Sequence, residues 1–112
     1  IGAGDIITDI IGDFVKKLEL KPKMVHKIKK HFYKKFGESI DNYSASTAAK
    51  NVLVPTLVIH DTEDIDVLVS CAHNIRQNLK QGEILITNGL GHRRILKDNL
   101  VIKRIIEFIN RN

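Results

Sequence analysis

The spacing of apolar residues over the first 36 positions predicts two amphipathic helices. In the first helix, residues 5–18, apolar side chains recur every three or four positions, at Ile7, Ile10, Ile11, Phe14 and Leu18. Asp5 precedes them and is a suitable N-cap. The second helix begins at Pro22, a residue that suits a first helical position. Its apolar stripe is Met24, Ile28, Phe32 and Phe36. Gly37 is a natural end for it.

The pattern changes after a polar stretch in which Ser44 can cap a short helix that ends near Lys50. The run VLVPTLVIHD is β-branched and apolar, as strands buried on both faces are, and Pro55 fits only its beginning. A helical stripe then follows at Leu68, Cys71, Ala72, Ile75 and Leu79. The segment EILIT predicts a second strand. A final helix over about 98–110 would bury Val101 or Ile102, with Ile105, Phe108 and Ile109.

These elements divide the chain into a helical segment, 1–51, and a strand–helix–strand–helix unit, 52–112. The predicted fold class is α/β, with parallel strands flanked by helices. A length of 112 residues suits one domain. The sequence begins without a methionine or a convincing signal peptide, so we expect a processed chain or a fragment.

The composition narrows the class of protein. No apolar stretch is long enough to cross a bilayer, so no membrane span is expected. Cys71 is the only cysteine, which excludes an internal disulfide and a cysteine-rich metal site. A single cysteine suits a reducing compartment, and we expect a cytoplasmic protein.

Two loops carry the candidate chemistry. HDTEDID follows the first strand and is rich in carboxylates, and NGLGHRR follows the second strand and contains His92. The carboxyl ends of neighbouring parallel strands meet at one edge of a sheet, where reactive groups gather. A carboxylate there can accept the Nδ1 proton of an imidazole and direct Nε2 toward a nucleophile. Gly89 and Gly91 allow the sharp turn that this requires.

The segment VPTLVIHDTEDIDV, followed by GLGHRRIL, resembles the C-terminal half of the α/β-hydrolase fold family over residues 50–110. The acid motif of that family, H-[GD]-x-x-D-x-x-V, is matched by His60, Asp61, Asp64 and Val67. The resemblance implies that Asp64 is the acid and His92 the base of a catalytic triad. One departure is Leu68, which replaces a frequent proline and leaves the acid assignment intact.

The same resemblance implies that residues 5–49 are similar to a helical lid, and that IGAGD resembles the end of the strand before it. The family places its serine in a G-x-S-x-G elbow, which this sequence lacks; its serines are Ser39, Ser44, Ser46 and Ser70. We therefore expect a fragment of a carboxylesterase-like serine hydrolase for small ester or acyl substrates, inactive alone. Its partner would be a missing N-terminal half or, failing that, a second copy of the chain.

Each candidate residue also has a simpler structural interpretation. Asp64 could cap the following helix, although Asp66 is closer to the helix start and could do so instead. Asp61 and Glu63 are interpreted as solvated loop acids, with support of the turn as the alternative for Asp61, and His60 as a structural residue at a strand end. Arg93 and Arg94 are expected either to contact acids near the site or the sheet edge or to form a solvated basic pair. Cys71 is expected in the core, on an apolar helix face. No histidine spacing indicates zinc, so neither a metal nor a cofactor is expected.

Charge is concentrated in one segment. The net charge is +5, yet residues 16–35 hold nine lysines and one acid, Glu19. Nucleic-acid-binding signatures are absent, so no nucleic-acid partner is expected. A solvated lid face is one interpretation of these lysines. The alternative to the hydrolase hypothesis is a non-catalytic binding or scaffolding module whose basic helix contacts an anionic partner.

Overall fold

The computed structural model describes residues 1–112 and has mixed α/β character around a two-stranded parallel sheet. Strand β1 is Thr56–Asp61 and strand β2 is Gly82–Thr87. The helix Val69–Asn78 connects them and contacts both strands. The register pairs Thr56 with Gly82 and Asp61 with Thr87, so both strands end at the same edge. The predicted strand–helix–strand order is confirmed.

The chain then forms a short helix, Gly91–Arg94, a 3₁₀ turn, Ile95–Lys97, and a final helix, Asn99–Arg111. Asp98 caps the final helix by accepting a hydrogen bond from Val101 N at 3.0 Å. Val101 packs with Ile59 and Ile95 in a small buried cluster. Of the apolar residues predicted to face the core here, Ile102 and Ile109 are exposed.

The helical segment comprises Ile7–Lys17, Lys23–Phe36, a 3₁₀ turn at Ile40–Tyr43, and the short helix Ala45–Ala49. The six α-helices are numbered in chain order. They are α1 (Ile7–Lys17), α2 (Lys23–Phe36), α3 (Ala45–Ala49), α4 (Val69–Asn78), α5 (Gly91–Arg94) and α6 (Asn99–Arg111). Gly37 ends α2 in the left-handed conformation, as predicted.

The prediction that Asp5 caps α1 is wrong. The first amides of α1 donate to side chains that lie more than thirty positions later in the chain. Ile7 N donates to Ser44 Oγ, and Thr8 N donates to Asp41 Oδ1. Ser44 accordingly makes no side-chain cap for the short helix α3 that follows it. The capping groups come from the polar stretch after α2, so helix-start rules applied to neighbouring residues could not find them.

Asp5 instead joins the two parts of the chain. Its buried carboxylate accepts hydrogen bonds from Ser46 N at 2.7 Å and from the Asn74 amide on α4. A buried carboxylate needs such donors, because without them the charge would be strongly disfavoured. Asp5 thereby fixes the entry to α1 against both α3 and α4.

The molecule is flat. Its principal extents are 45 × 31 × 17 Å, and the radius of gyration is 16.1 Å, against about 13 Å for a compact domain of this length. Only 12 of the 112 residues are buried, and half of those are polar or charged. Much apolar side-chain surface therefore faces solvent. None of the helices has the length and apolar character needed to cross a membrane.

Candidate active site

Asp64 and His92 meet at the carboxyl edge of the sheet. Asp64 Oδ2 lies 2.7 Å from His92 Nδ1, a distance typical of a strong, charge-assisted hydrogen bond. The Asp64 side chain is 2% exposed, whereas the His92 side chain is 38% exposed. The carboxylate is thus screened from water, while the imidazole remains accessible. With its proton on Nδ1, His92 presents Nε2 as a base.

The two oxygens of Asp64 have different partners. Oδ1 accepts hydrogen bonds from Asp66 N at 3.0 Å and from Val67 N at 2.8 Å, which closes the turn before α4. Oδ2 is left for His92. The idea that Asp66 caps α4 and frees Asp64 is wrong, since no side chain caps that helix. Asp64 shapes the turn and binds the histidine at once.

The ionised state of Asp64 is favoured. Burial alone would raise its pKa, but the Val67 amide and His92, through both its hydrogen bond and its charge, lower the pKa below the ordinary value of 3.8; the Asp66 amide adds to this. Asp64 is therefore a carboxylate at neutral pH, the form that can orient and stabilise a protonated imidazole.

Asp61 is not the solvated loop acid that the sequence suggested. It is 1% exposed, and its two oxygens accept hydrogen bonds from both loops of the site. Oδ1 accepts from Glu63 N and Gly91 N, both at 2.9 Å. Oδ2 accepts from Thr87 Oγ1 at 2.6 Å and from Leu90 N at 3.0 Å. Asp61 thus holds the turn of Asp64 to the turn of His92.

These four donors decide the charge of Asp61. Burial favours the neutral acid, yet the Thr87 hydroxyl and the amides of Gly91, Glu63 and Leu90 lower its pKa from 3.8 to about 2. The sequence held a signal for this role, because Asp61 is the last residue of β1 and faces the last residue of β2 across the sheet. The alternative interpretation, in which Asp61 supports the turn, agrees with these contacts.

His92 lies on the short helix α5 and not in an extended loop, which corrects the loop assignment. The turn before it is made by glycine: Gly89 has φ +82° and Gly91 has φ +70°, a region that side chains with a Cβ rarely adopt. Arg94 braces this turn by donating to the carbonyls of Leu90 and Gly89 at 3.1 and 2.8 Å. Arg93 is exposed.

His60 belongs to the site, although sequence reasoning placed it only at the strand end. It is 1% exposed, its Nε2 lies 2.7 Å from the Val67 carbonyl oxygen, and the same nitrogen lies 3.4 Å from Asp64 Oδ2. The short distance to a carbonyl places the proton on Nε2. His60 Nδ1 has no partner. His60 therefore packs against Asp64 on the side that faces the protein interior.

The N-terminal residues complete the surroundings of His92. Gly2 N donates to the carbonyl of Ile59 on β1 at 3.0 Å, and Gly2 has φ +60°. A Cβ at this position would lie 3.2 Å from His92 Cε1 and 3.3 Å from Nδ1. The absence of a side chain at Gly2 lets the backbone pass beside the imidazole.

No serine of the chain is hydrogen-bonded to His92. Ser44 and Ser46 are buried among the helices, Ser39 binds Asp41 N, and Ser70 is exposed on α4. A cavity of about 700 Å³ lies between α1 and α4 and is lined by Asp66 and Val67 but by neither Asp64 nor His92. The acid and the base are thus present without a nucleophile in contact.

Asp64, Asp66 and His92 are also the one group that could offer three metal ligands, with ligand atoms within 4.8 Å of one another. The 2.7 Å contact between Asp64 Oδ2 and His92 Nδ1 is that of a hydrogen-bonded pair, in which both atoms already share a proton. The arrangement is therefore the one expected of an acid–base pair.

A scan against models of protein families and a search of curated proteins both gave no match to this chain.

Proposed function

We propose that Asp64 and His92 are the acid and base of a serine-hydrolase-type site that cleaves ester or related acyl bonds in small molecules. The observation that carries this proposal is the 2.7 Å contact between a screened carboxylate and an accessible imidazole. That arrangement fixes the Nδ1–H tautomer and leaves Nε2 to accept a proton, as general-base catalysis requires.

In the proposed reaction a serine hydroxyl outside these 112 residues attacks the acyl carbon. His92 Nε2 takes the hydroxyl proton while the serine oxygen forms its bond to that carbon. The bond to the leaving group then breaks, and His92 returns the proton to the leaving alkoxide. Water repeats the sequence on the acyl-enzyme, and Asp64 stabilises the imidazolium throughout.

The source of the serine follows from the same contacts. The four serines of the chain are buried elsewhere, bound elsewhere or exposed on α4, and none is hydrogen-bonded to His92. We therefore infer that this chain supplies the second and third members of the triad only, and that it does not hydrolyse substrate alone.

We assign residues 52–112 to the C-terminal part of an α/β-hydrolase fold and residues 1–51 to its lid. The parallel pair with reactive loops at one edge supports this, as does the 700 Å³ cavity beneath α1. The flat shape and the exposed Leu100, Ile106 and Ile109 of α6 support a complementary segment, or a second copy, that covers this surface. A free Cys71 suits a reducing compartment, consistent with the cytoplasm.

The test uses a fluorophosphonate probe and an activated ester. The 112-residue chain should form no covalent adduct, and an adduct on it would contradict an external nucleophile. A longer polypeptide from the same reading frame should be labelled and should hydrolyse the ester. In that polypeptide, His92→Ala and Asp64→Asn should each lower kcat by a factor of about 10³–10⁴. Asp66→Asn, which alters an exposed neighbour, is the matched control and should retain activity.

The competing hypothesis is a non-catalytic module. It predicts that the longer polypeptide hydrolyses no activated ester, and that His92→Ala changes none of its properties beyond stability. Failure of the longer polypeptide to react with the probe, when shown to be folded, would favour that alternative.

A further inference from the structure

Helix α2 presents a line of four lysines on one face. Lys23, Lys27, Lys30 and Lys34 follow the spacing i, i+4, i+7 and i+11, and all four are exposed. At 100° per residue they lie within about 60° of the helix circumference, and they extend over about 16 Å of its length. The helix bounds and the exposure of these four side chains define this set as the lysine stripe.

The stripe has no counter-charge within the protein. Of the nine lysines between residues 16 and 35, only Lys29 forms an ion pair, with Asp41 at 3.7 Å. Helix α2 contains no acidic residue. Like charges packed on one face repel one another, so an external anionic surface would lower the electrostatic free energy of this helix.

A cavity of about 420 Å³ opens on the flank of the stripe. It is lined by His26, Lys29, Lys30, Tyr33, Ser39 and Ile40. Most of the surface of this cavity is apolar, no carboxylate lines it, and the Lys30 ammonium is the lining ammonium that has no ion-pair partner. An ammonium group can bind a phosphate, and an apolar lining suits the carbon part of a lipid headgroup region.

Exposed apolar side chains surround the same helix. Tyr33 is 60% exposed beside the stripe, whereas Phe36, 56% exposed, lies on the far side of α2 and Leu18, 53% exposed, ends α1. An exposed aromatic side chain beside lysines is typical of surfaces that lie in the headgroup region of a bilayer.

We propose that the lysine stripe of α2 and its flanking cavity form a docking surface for an anionic phospholipid bilayer. Lysines attract the negative surface, the cavity accepts a phosphate-bearing headgroup, and Tyr33 enters the interface. A nucleic acid is favoured less, because the sequence carries none of the usual nucleic-acid-binding signatures. This inference is independent of the Asp64–His92 pair and of the proposed hydrolase activity.

The experiment is co-sedimentation of the 112-residue chain with vesicles of phosphatidylcholine alone or with about 30% phosphatidylserine. Binding is expected only to the acidic vesicles, and it should weaken at least tenfold between about 0.05 and 0.5 M salt. Replacing the stripe by Lys23→Gln, Lys27→Gln, Lys30→Gln and Lys34→Gln should weaken binding at least tenfold. Tyr33→Ala should weaken it several-fold.

A matched control removes the same number of charges elsewhere. The exposed lysines Lys50, Lys80, Lys97 and Lys103 lie outside the stripe, and their replacement by glutamine should leave vesicle binding within twofold of the unmodified chain. Equal loss in the two quadruple variants would overturn the proposal, since net charge alone would then explain binding. So would equal binding to neutral vesicles, or preferential binding to single-stranded RNA. Circular dichroism verifies the fold, and the pairs Lys23→Gln/Lys27→Gln and Lys30→Gln/Lys34→Gln give a second series should the quadruple variant unfold.

Discussion

The carboxyl edge of the sheet and the helical pair α1–α2 are built in opposite ways. At the sheet edge, His60, Asp61 and Asp64 are buried, and each carboxylate oxygen has a donor. Along α2 no residue is buried, and side chains as apolar as Phe36 face solvent. Polar side chains are buried at the sheet edge, and apolar side chains are exposed along α2.

This contrast indicates what each region needs in order to be complete. Buried carboxylates whose oxygens all accept hydrogen bonds specify a single geometry and are costly to disturb. An open amphipathic helix tolerates substitution and gains stability by binding something else. The sheet edge is thus suited to hold reacting groups at fixed distances, and the helical pair is suited to meet a surface.

The largest expected effect concerns Asp61. Asp61→Asn keeps the shape but removes the charge and places an amide donor opposite N–H groups, so we expect a loss of about 3 kcal/mol in the free energy of unfolding at pH 7. Urea denaturation measures it. Glu63→Gln, an exposed neighbour, is the control and should lie within about 0.5 kcal/mol of the unmodified chain.

The same residue predicts a pH dependence. Because the folded-state pKa of Asp61 is about 2 and its ordinary value is 3.8, ionised Asp61 stabilises the fold fully above pH 3.8. That stability, on the order of 2 kcal/mol, is lost as the pH falls toward 2. Asp61→Asn should flatten the stability profile in this window. An unchanged slope would mean that Asp61 does not carry the stabilising charge.

Asp5 tests the junction between the two regions. Asp5→Ala removes the acceptor of Ser46 N and of the Asn74 amide, and we expect a loss of about 2 kcal/mol. Hydrogen exchange should accelerate more in α1 and α3 than in β1. Asp9→Ala, on the exposed side of α1, is the matched control. Equal effects of the two changes would show that the helical segment is not attached through Asp5.

Asp64→Asn separates the two duties of that residue. Its remaining oxygen can still accept from the amides of Asp66 and Val67, so we expect a loss of only about 1.5 kcal/mol. The bond to His92 is lost, and the ¹⁵N shifts of the imidazole should report loss of the fixed Nδ1–H tautomer. Asp66→Asn should leave these shifts unchanged. A fixed tautomer in Asp64→Asn would contradict the pairing.

The smallest expected effects come from two glycines. Gly2→Ala places a methyl group against the His92 ring at a positive φ, so we expect a loss of about 1 kcal/mol and a shifted His92 spectrum. Gly12→Ala meets no atom within 4 Å inside α1 and should gain about 0.5–1 kcal/mol. The opposite signs distinguish close packing at Gly2 from a general response to glycine replacement.

Local patterns were enough to predict the elements and the meeting of the two loops, whereas the choice of Asp64 as the partner of His92 came from the motif resemblance. The apolar periodicities located both strands and the four long helices, and strand order alone brought the loop of Asp64 to the loop of His92. The 2.7 Å contact between them agrees with the predicted partnership. These features depend on neighbours along the chain or on the topology of a parallel pair.

What the sequence did not predict depends on distant partners. Ser44 and Asp41 cap a helix more than thirty residues earlier. Three of the four donors to Asp61 lie 26 to 30 positions later in the chain, at the end of β2 and in the turn after it. The exposure of Phe36 and Ile109 was also missed, because an apolar stripe predicts a buried face only where the chain supplies a cover. The pattern records which face is apolar and not what lies against it.

The closeness of Gly2 to His92 has a consequence for the order of folding. The imidazole lies beside Gly2, which is 90 positions earlier in the chain, and Asp64, which is 28 positions earlier. Contacts between such distant positions carry a high loop-closure entropy and form late. The pair should therefore be absent from early collapsed species and appear only in the last folding step, so that the His92 imidazole signal reports the completed native state.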